Sequence, residues 1–214
     1  MLQIKNFRKE YQGHLILDIP FLHIPAGVTW FQGVNGSGKS TFFKAISGII
    51  PFDGEVVFDE KLDLQKDPIA FRKIINYSFA EPRFPDYLSG KEIIDYYKSI
   101  YKTDKGEIEE LIEVFGVASF YKTPISTYSS GMLKKVSLIA ALIGQAKILA
   151  LDEPLTTIDK ESQEKLLAIL AKKVGQGINI LIASHHNLPE SDLMVEYRFM
   201  VENQTIKSQI EYKK

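Results

Sequence analysis

One short segment of the chain carries the residue types and spacing of a phosphate-binding loop. Residues 33–41 read Gly-Val-Asn-Gly-Ser-Gly-Lys-Ser-Thr and fit the pattern G-x-x-x-x-G-K-[ST], which binds a nucleoside triphosphate with Mg²⁺. The three glycines are expected to adopt backbone conformations closed to other residues, so that consecutive N–H groups point at phosphate oxygens. The expected nucleotide-binding residues of this segment are Gly33, Asn35, Gly36, Ser37, Gly38, Lys39, Ser40 and Thr41.

Two side chains of this loop have distinct expected tasks. Lys39 is expected to reach the β- and γ-phosphates as a point charge, and the Ser40 hydroxyl is expected to bind Mg²⁺. A strand predicted at 28–32 and a helix predicted at 41–50 give the strand–loop–helix context that such a loop needs. The positive N-terminal end of that helix adds attraction for phosphate. The alternative is an ordinary glycine-rich turn.

A second motif places two acids directly after an apolar run. Residues 147–154 read Lys-Ile-Leu-Ala-Leu-Asp-Glu-Pro, which is typical of a buried parallel strand that ends in carboxylates. Ligands of open α/β folds bind at this edge of the sheet. Asp152 is therefore expected to hold Mg²⁺, and Glu153 is expected to polarise an attacking water. The alternative is the acidic first turn of a helix.

Composition excludes several classes of protein. Of 214 residues, 45% are hydrophobic and 25% are charged, the formal net charge is −1 and cysteine is absent. Disulfide and thiol chemistry are therefore excluded, and the lack of a basic block gives no indication of nucleic-acid binding. The sequence has no apolar run of the roughly 18 residues that a transmembrane helix needs, and no signal-peptide core at its N-terminus. Any membrane association is expected to come through a partner.

Apolar periodicity and turn residues predict the elements that position these motifs. The sequence predicts an α/β fold, with a mostly parallel sheet core preceded by β-rich N-terminal segments. A single domain is expected over residues 1–214, in which a nucleotide-binding core of 1–79 and 145–214 is interrupted by a helical subdomain at 80–144. The predicted strands are 2–7, 14–18, 21–24, 28–32, 55–58, 74–79, 147–151, 178–183, 193–201 and 205–212. The predicted helices are 41–50, 91–101, 107–115, 131–143 and 160–174.

A third motif, Tyr-Ser-Ser-Gly-Met at 128–132, precedes one of these helices. By itself it fits a capping turn, with Ser129 as the N-cap residue. Together with the phosphate loop and the apolar strand that ends in Asp-Glu, however, it resembles the ATP-binding cassette (ABC) ATPase family over essentially the whole chain. The resemblance implies a RecA-like P-loop NTPase core with antiparallel N-terminal strands and an inserted helical subdomain. It also implies ATP and Mg²⁺ as cofactors.

The resemblance implies roles for further residues. Tyr11 is placed like the aromatic residue that stacks on adenine, and a core aromatic is the alternative. Ser129 and Gly131 resemble the signature, which acts in trans on the nucleotide of a second, head-to-tail cassette. Asp159 resembles the loop that crosses the dimer interface, and it is also a natural helix N-cap. His185 resembles the switch histidine that contacts the γ-phosphate and helps to orient water.

The sequence departs from the family pattern at two places. Relatives carry a Mg²⁺-ligating glutamine after the strand predicted at 74–79, whereas this chain has Ala80 and Glu81. Glu81 is an alternative oxygen ligand for the metal. The signature has Ser130 in place of a glycine and Met132 in place of a glutamine. These departures leave ATP binding expected and bring the rate of hydrolysis into question.

The resemblance therefore implies an ATPase subunit of an ABC transporter, in which Lys39, Glu153 and His185 are the catalytic residues. Such a subunit is cytoplasmic, peripheral to the membrane, paired with a second ABC subunit and coupled to a separate transmembrane permease. Aromatic residues within 84–101 are expected to form either the core of the helical subdomain or a groove for the permease. Two rivals remain, namely an assembly-factor ATPase with soluble partners and a scaffold that binds ATP but barely hydrolyses it.

Overall fold

The computed structural model of the protein describes residues 1–101, 103–189 and 191–209. A short 3₁₀ turn, Ile125–Thr127, precedes the fifth helix. The elements in chain order are β1 (Leu2–Tyr11), β2 (His14–Ile24), β3 (Val28–Gln32), α1 (Lys39–Ile46), β4 (Asp53–Phe58), β5 (Leu62–Asp63), α2 (Pro68–Ile74), β6 (Ile75–Ser78), α3 (Gly90–Tyr101), α4 (Lys105–Val114), α5 (Ser130–Leu142), β7 (Ile148–Asp152), α6 (Lys160–Gly175), β8 (Asn179–Ser184), β9 (Tyr197–Glu202) and β10 (Thr205–Gln209).

The strands form two sheets of different character. The first has the order β2-β1-β4-β5 and is antiparallel throughout. The second has the order β10-β9-β3-β8-β7-β6, and its neighbours are parallel except for the β9–β10 hairpin. This confirms the predicted α/β class, with antiparallel N-terminal strands and a mostly parallel core.

Alternate residues of the central strands face two separate hydrophobic clusters. In β7, Leu149 and Leu151 pack with the helices α3 to α6, whereas Ile148 and Ala150 pack towards α1 and the antiparallel sheet. All five residues of β7 are buried, as expected for a strand covered on both faces. The cluster towards α1 is rich in aromatic rings, and its members include Phe7, Phe31, Phe42, Phe43 and Phe199.

The register of the parallel strands aligns the ends that lead into the predicted motifs. Asp152 of β7 lies opposite Ala183 of β8, and Gln32 of β3 lies opposite Ser184. On the other side of β7, Ser78 of β6 lies opposite Leu151. The segments that follow β3, β6, β7 and β8 therefore leave the sheet at one edge, which is where open α/β folds bind ligands.

Several predicted boundaries were wrong for identifiable reasons. The runs 14–18 and 21–24 form the single strand β2. Pro20 has no backbone N–H, but β2 is an edge strand, so no hydrogen bond of the sheet requires one at this position. The helix predicted at 41–50 is shorter at its C-terminal end, since Gly48 has a positive φ of 69° just beyond it. Helix α2 was not predicted, although Asp67 caps it and Pro68 begins it.

At the C-terminal end, the predicted hairpin is present, but its first strand begins at Tyr197 rather than at residue 193. The second strand is described to Gln209, and the remainder of the predicted 205–212 lies outside the described residues. Residues 80–144 hold α3, α4 and α5, while the subdomain boundaries themselves stay a prediction. In the described part of the chain, no helix combines the length and apolar character needed to cross a membrane.

Candidate active site

The phosphate loop joins β3 to α1, and its glycines are required for two different reasons. Gly36 and Gly38 have positive φ values of 80° and 103°, and Gly38 is the N-cap of α1. Gly33, by contrast, has no left-handed backbone, so the expectation that all three glycines serve the same conformational purpose was wrong. A Cβ at Gly33 would lie 2.5 Å from the carbonyl oxygen of Val201 in β9.

The Lys39 ammonium lies within the loop and bonds to its backbone. Lys39 Nζ donates to the carbonyls of Gly33 at 2.6 Å and Val34 at 2.9 Å. Burial lowers the pKa of Lys39, while the nearby carboxylates of Glu153 and Asp152 oppose this shift. The first turn of α1 contains no acidic residue, so nothing in that turn competes with an anion at the helix N-terminus.

Asp152 ends β7 as a fully buried carboxylate. The hydroxyl of Tyr77 donates to its Oδ2 at 2.9 Å. Burial raises the pKa of Asp152, and hydrogen bonds from Ser40 and Tyr77 and the charge of Lys134 act in the opposite direction. Its Oδ1 is buried and, among the described residues, has no well-formed hydrogen bond.

The residues present fit a magnesium ion bound together with a nucleotide. An incompletely satisfied carboxylate of Asp152 beside the Ser40 hydroxyl offers hard oxygen ligands, which Mg²⁺ prefers. Within residues 1–101, 103–189 and 191–209, no cluster of three or more His, Cys, Asp or Glu residues could hold a metal. Mg²⁺ at a nucleotide site uses one or two protein ligands together with phosphate oxygens and waters.

Glu153 and His185 form a pair across the ends of β7 and β8. Glu153 Oε1 lies 2.8 Å from His185 Nδ1 and accepts a bond from the His185 backbone N–H at 3.0 Å. An ionised Glu153 accepts the side-chain bond only when the proton is on Nδ1, so the contact selects one tautomer of the imidazole. Glu153 also has a positive φ of 46°, and its Oε2 is buried with no partner among the described residues.

A cleft of about 490 Å³ brings most of the predicted residues together. Its lining includes Ala80 and Glu81 as well as the loop and the Glu153–His185 pair, and metal binding by Glu81 stays a prediction. Lys44, Arg83 and Asp152 line an adjoining hollow that shares Ser40 with the cleft. The predicted site residues that line the cleft itself are Asn35, Gly36, Gly38, Lys39, Ser40, Thr41, Glu81, Glu153 and His185.

Tyr11 lies at the end of β1 and does not line this cleft. Its side chain is 44% exposed, which excludes the alternative of a core aromatic. Lys9 Nζ lies 4.7 Å from the centre of the Tyr11 ring. The ring is therefore accessible to a stacking partner, and its contact with adenine stays a prediction.

Ser129 and Gly131 lie at the N-terminus of α5 and also outside the cleft lining. Ser129 is the helix N-cap, because its Oγ accepts from the Met132 backbone N–H at 3.2 Å. A Cβ at Gly131 would lie 2.6 Å from the carbonyl oxygen of Thr157. The signature thus packs against the loop after Glu153 within its own chain, a contact that by itself explains the glycine.

Asp159 closes the same loop with two interactions. It caps α6 by accepting from the Ser162 backbone N–H at 2.9 Å, which confirms the N-cap interpretation. It also pairs with Lys135 of α5 at 2.7 Å. These contacts, mainly the hydrogen bond from Lys135, lower the pKa of Asp159 below its ordinary range.

With this geometry in place, comparisons with known proteins identify the family. The model of the family described as ABC transporter matches residues 21–156, which is more than half of the chain. The chain belongs to the ABC transporter family. The matched region of this cassette contains the phosphate loop, the signature and the two acids at the end of β7, Asp152 and Glu153.

Individual relatives cover most of the cassette at low identity. The lantibiotic transport ATP-binding protein SrtF of Streptococcus pyogenes is 28% identical over 187 residues, covering 86% of this chain and 80% of that protein. The cytochrome c biogenesis ATP-binding export protein CcmA of Legionella pneumophila (strain Lens) is 28% identical over 191 residues, covering 88% and 94%.

Solved structures agree on the fold. The ATP-binding subunit of an ABC transporter superposes with a TM-score of 0.84 at 22% identity, covering 97% of this chain and 88% of that one. The ATP-binding cassette MJ0796, in a dimeric post-hydrolysis state bound to ADP and Pi, gives a TM-score of 0.79 at 19% identity, with coverage of 99% and 100%.

Sequence reasoning missed two residues of the cassette that contact Asp152, the half-buried Tyr77 and the fully buried Lys134. Tyr77 reaches its side chain from β6, and Lys134 of α5 donates to its backbone carbonyl. No sequence pattern indicates the contact between Tyr77 and Asp152, because this contact depends on the register of β6 and β7. A signal for Lys134 existed, since it shares a helical face with Leu138 and Ala141, both of which are buried.

Proposed function

We propose that this cassette hydrolyses ATP as the nucleotide-binding subunit of an ABC transporter and powers a separate transmembrane permease. One observation carries the proposal. The phosphate-loop residues Lys39 and Ser40, the acids Asp152 and Glu153, and His185 come together at one edge of a parallel sheet. This is the set of groups that positions a triphosphate and an attacking water for phosphoryl transfer.

In the proposed reaction each group has a task set by its surroundings. Lys39 exchanges its two backbone carbonyl partners for phosphate oxygens, which gives a stronger, charge-assisted contact. Mg²⁺, held by Ser40 and Asp152, would supply charge neutralisation at the β- and γ-phosphates. Glu153 accepts the proton of the attacking water, and His185 orients that carboxylate through its side chain and its backbone N–H.

A head-to-tail dimer follows from the position of the signature. Ser129 and Gly131 do not line the cleft of their own chain, so their proposed contact with ATP requires a second cassette, either a copy or a relative. The N-terminus of α5 would then face the γ-phosphate of the other subunit as a helix-end anion site. A homologous fold solved as a dimer with ADP and Pi supports this arrangement.

A surface of the helical region is proposed to dock the permease on the cytoplasmic face of the membrane. Tyr87 and Tyr96 are 82% and 62% exposed, whereas Phe84, Leu88 and Tyr97 pack onto the core. Some aromatic residues of this stretch therefore belong to the core of the helical region, and the groove for the permease is proposed for the exposed ones. Exposed aromatic side chains favour a protein interface. The names of the relatives, a lantibiotic transport protein and a cytochrome c biogenesis export protein, support transport as the process.

The experiment that tests the proposal compares purified wild-type protein with the Glu153→Gln variant. We expect wild-type protein to release phosphate from ATP in the presence of Mg²⁺. The variant should bind ATP, lose at least about a hundredfold in turnover and elute as a dimer when ATP is present. Purification of the variant with ATP from detergent-solubilised native membranes should retain a stoichiometric integral membrane protein.

The rival with a specific motivation is an ATP-dependent scaffold, because Ala80 and Ser130 depart from the family pattern. Wild-type protein that binds ATP and dimerises without releasing phosphate would favour the scaffold. Retention of soluble partners alone, from a preparation in which other membrane complexes remain intact, would favour the assembly-factor ATPase.

A further inference from the structure

Lys134 is a fully buried lysine that joins three segments around the cleft. From α5, its Nζ donates to the carbonyls of Phe79 at 2.6 Å, Ala80 at 3.2 Å and Asp152 at 3.0 Å. Its side chain is inaccessible to solvent. An ammonium group has three N–H donors, so these bonds use its whole donor capacity.

The three carbonyls belong to the backbone on two sides of the site. Phe79 and Ala80 form the turn after β6, which continues into Glu81 on the cleft wall. Asp152 ends β7 and leads directly to Glu153. One side chain therefore bridges the separation between the turn after β6 and the acidic end of β7, just beyond the paired residues Ser78 and Leu151. A shift of about 1 Å in such a separation can cost a hundredfold in rate.

Nothing in packing alone explains a cation at this position. Burial of an ammonium is costly unless hydrogen bonds and opposite charges compensate for it. Here burial lowers the pKa of Lys134 to about 8, while Asp152 and Glu153 favour the charged form. A leucine or methionine would fill the same volume of the core without this cost, so the polar contacts are the property that distinguishes lysine here.

The local sequence increases the importance of this contact. The turn after β6 carries Ala80 and Glu81, and the alanine side chain can make no polar contact with a nucleotide or a metal. Lys134 bonds to both carbonyls of this turn and so links it to the end of β7 without a side-chain contact from Ala80.

We propose that Lys134 is a positioning residue for ATP hydrolysis, which ties the Phe79–Ala80 turn to the backbone of Asp152 and thereby sets the geometry of the hydrolytic site. The inference rests on the proposed ATPase function. It predicts that removing the ammonium lowers kcat far more than it changes KM for ATP, because Lys134 does not touch the expected nucleotide-binding residues.

Asn76 of β6 provides a matched control, because its side chain also bonds to the backbone of a neighbouring element. Its Nδ2 donates to the carbonyls of Ala141 at 2.9 Å and Ile143 at 3.0 Å, and it ties β6 to the opposite end of α5. Lys134→Met and Asn76→Leu each replace a buried donor by an apolar side chain of similar size. Both should lower the midpoint of thermal unfolding.

The two variants are expected to differ in kcat. The value of kcat is calculated per folded site, and the concentration of folded sites is measured from the stoichiometry of nucleotide binding. We expect kcat to fall about tenfold to a hundredfold in Lys134→Met, with KM for ATP within about threefold of wild type. Asn76→Leu should keep kcat within about threefold. If Lys134→Met does not fold, Lys134→Gln, which keeps amide donors on a shorter neutral chain, should show the same loss of kcat.

The absence of cysteine from the chain permits a chemical rescue. A Lys134→Cys variant alkylated while unfolded with 2-bromoethylamine, and then refolded, carries a near-isostere of lysine with its ammonium. Alkylation with 1-iodopropane gives a side chain of the same length without charge. Wild-type protein taken through the same cycle is the reference. We expect the aminoethyl product to regain about half or more of the reference kcat and the propyl product to stay at the Lys134→Met level.

Three results would overturn the assignment: unchanged kcat in Lys134→Met, equal losses in Lys134→Met and Asn76→Leu, or rescue by the propyl group. Each of them leaves wild-type hydrolysis intact and so contradicts only the role of Lys134. Absence of phosphate release from wild-type protein would instead contradict the proposed ATPase function, and the positioning role with it.

Discussion

The phosphate loop and the N-terminal half of α5 reach the same site by different means. In the loop, the contacts of Lys39 run to Gly33 and Val34, its close neighbours in sequence. In α5, the contacts of Lys134 run to Phe79 and Asp152, which are distant along the chain. A local motif holds its own geometry, whereas the α5 contacts exist only after the sheet has formed. We therefore expect mutations in the loop to act mainly on chemistry, and mutations around α5 to act on stability and chemistry together.

The largest expected effect lies in the loop. Lys39→Met removes the charge that is proposed to bind the β- and γ-phosphates, so ATP hydrolysis should fall about a hundredfold to a thousandfold. Lys105→Met, at an exposed lysine of α4 that lines neither the cleft nor the adjoining hollow, is the control and should keep turnover within about twofold. Steady-state phosphate release measures both variants. Comparable activity of Lys39→Met and wild-type protein would remove the loop from the chemistry.

The next effect tests the packing of the signature in its own chain. Gly131→Ala places a Cβ 2.6 Å from the Thr157 carbonyl, so the backbone must shift, and we expect a loss of about 1–3 kcal/mol in the free energy of unfolding. Gly175→Ala is the matched control at the end of α6, where no atom lies within 4 Å of the added Cβ. It should stabilise by about 0.5 kcal/mol. Urea denaturation of both variants decides the point, and equal stabilities would contradict the close contact.

A smaller effect is expected where β6 supports Asp152. Tyr77→Phe removes the hydroxyl that donates to Oδ2, and the buried carboxylate loses one hydrogen bond. The free energy of unfolding should fall by about 1.5 kcal/mol. Tyr87→Phe, at an exposed side chain, should be neutral. If the two tyrosine variants unfold at the same urea concentration, the Tyr77 contact does not contribute to stability.

The smallest effect concerns the Asp159–Lys135 ion pair and depends on pH. The folded state lowers the pKa of Asp159, so its contribution is present above the ordinary value of 3.8 and is lost as pH falls through the lower folded value. Asp159→Asn keeps a competent N-cap and removes the charge, so at pH 7 it should cost about 0.5 kcal/mol. The difference from wild type should shrink progressively as pH falls below 3.8 in denaturant titrations. A difference that grows on acidification would contradict the pair.

Sequence patterns predicted most of the fold because the strands and helices of the core are strongly periodic. β7 is a continuous apolar run, and the Ser129 and Asp159 caps follow from their residue types. Short elements were less predictable. β5 has two residues and α2 has seven, which is too few for a periodic signal. The division of β2 at Pro20 failed because proline is tolerated on an edge strand, and sequence alone does not reveal which strand is the edge.

For the candidate site, too, the sequence predicted some features and not others. Lys39, Ser40, Asp152, Glu153 and His185 were chosen from motifs, and the structure brings them to one edge of the sheet. Their roles in catalysis, and those of Tyr11, Ser129 and Gly131 in nucleotide contact, stay predictions.

The sequence by itself determined the family and the chemical groups available to this cassette, because a phosphate loop is a local structure whose lysine bonds to adjacent backbone. Only the tertiary structure decided which groups support the acids. The contacts of Tyr77 and Lys134 with Asp152 depend on strand register and on how α5 packs against β6 and β7. Long-range hydrogen bonds of this kind join residues whose separation in sequence carries no information about their distance in space.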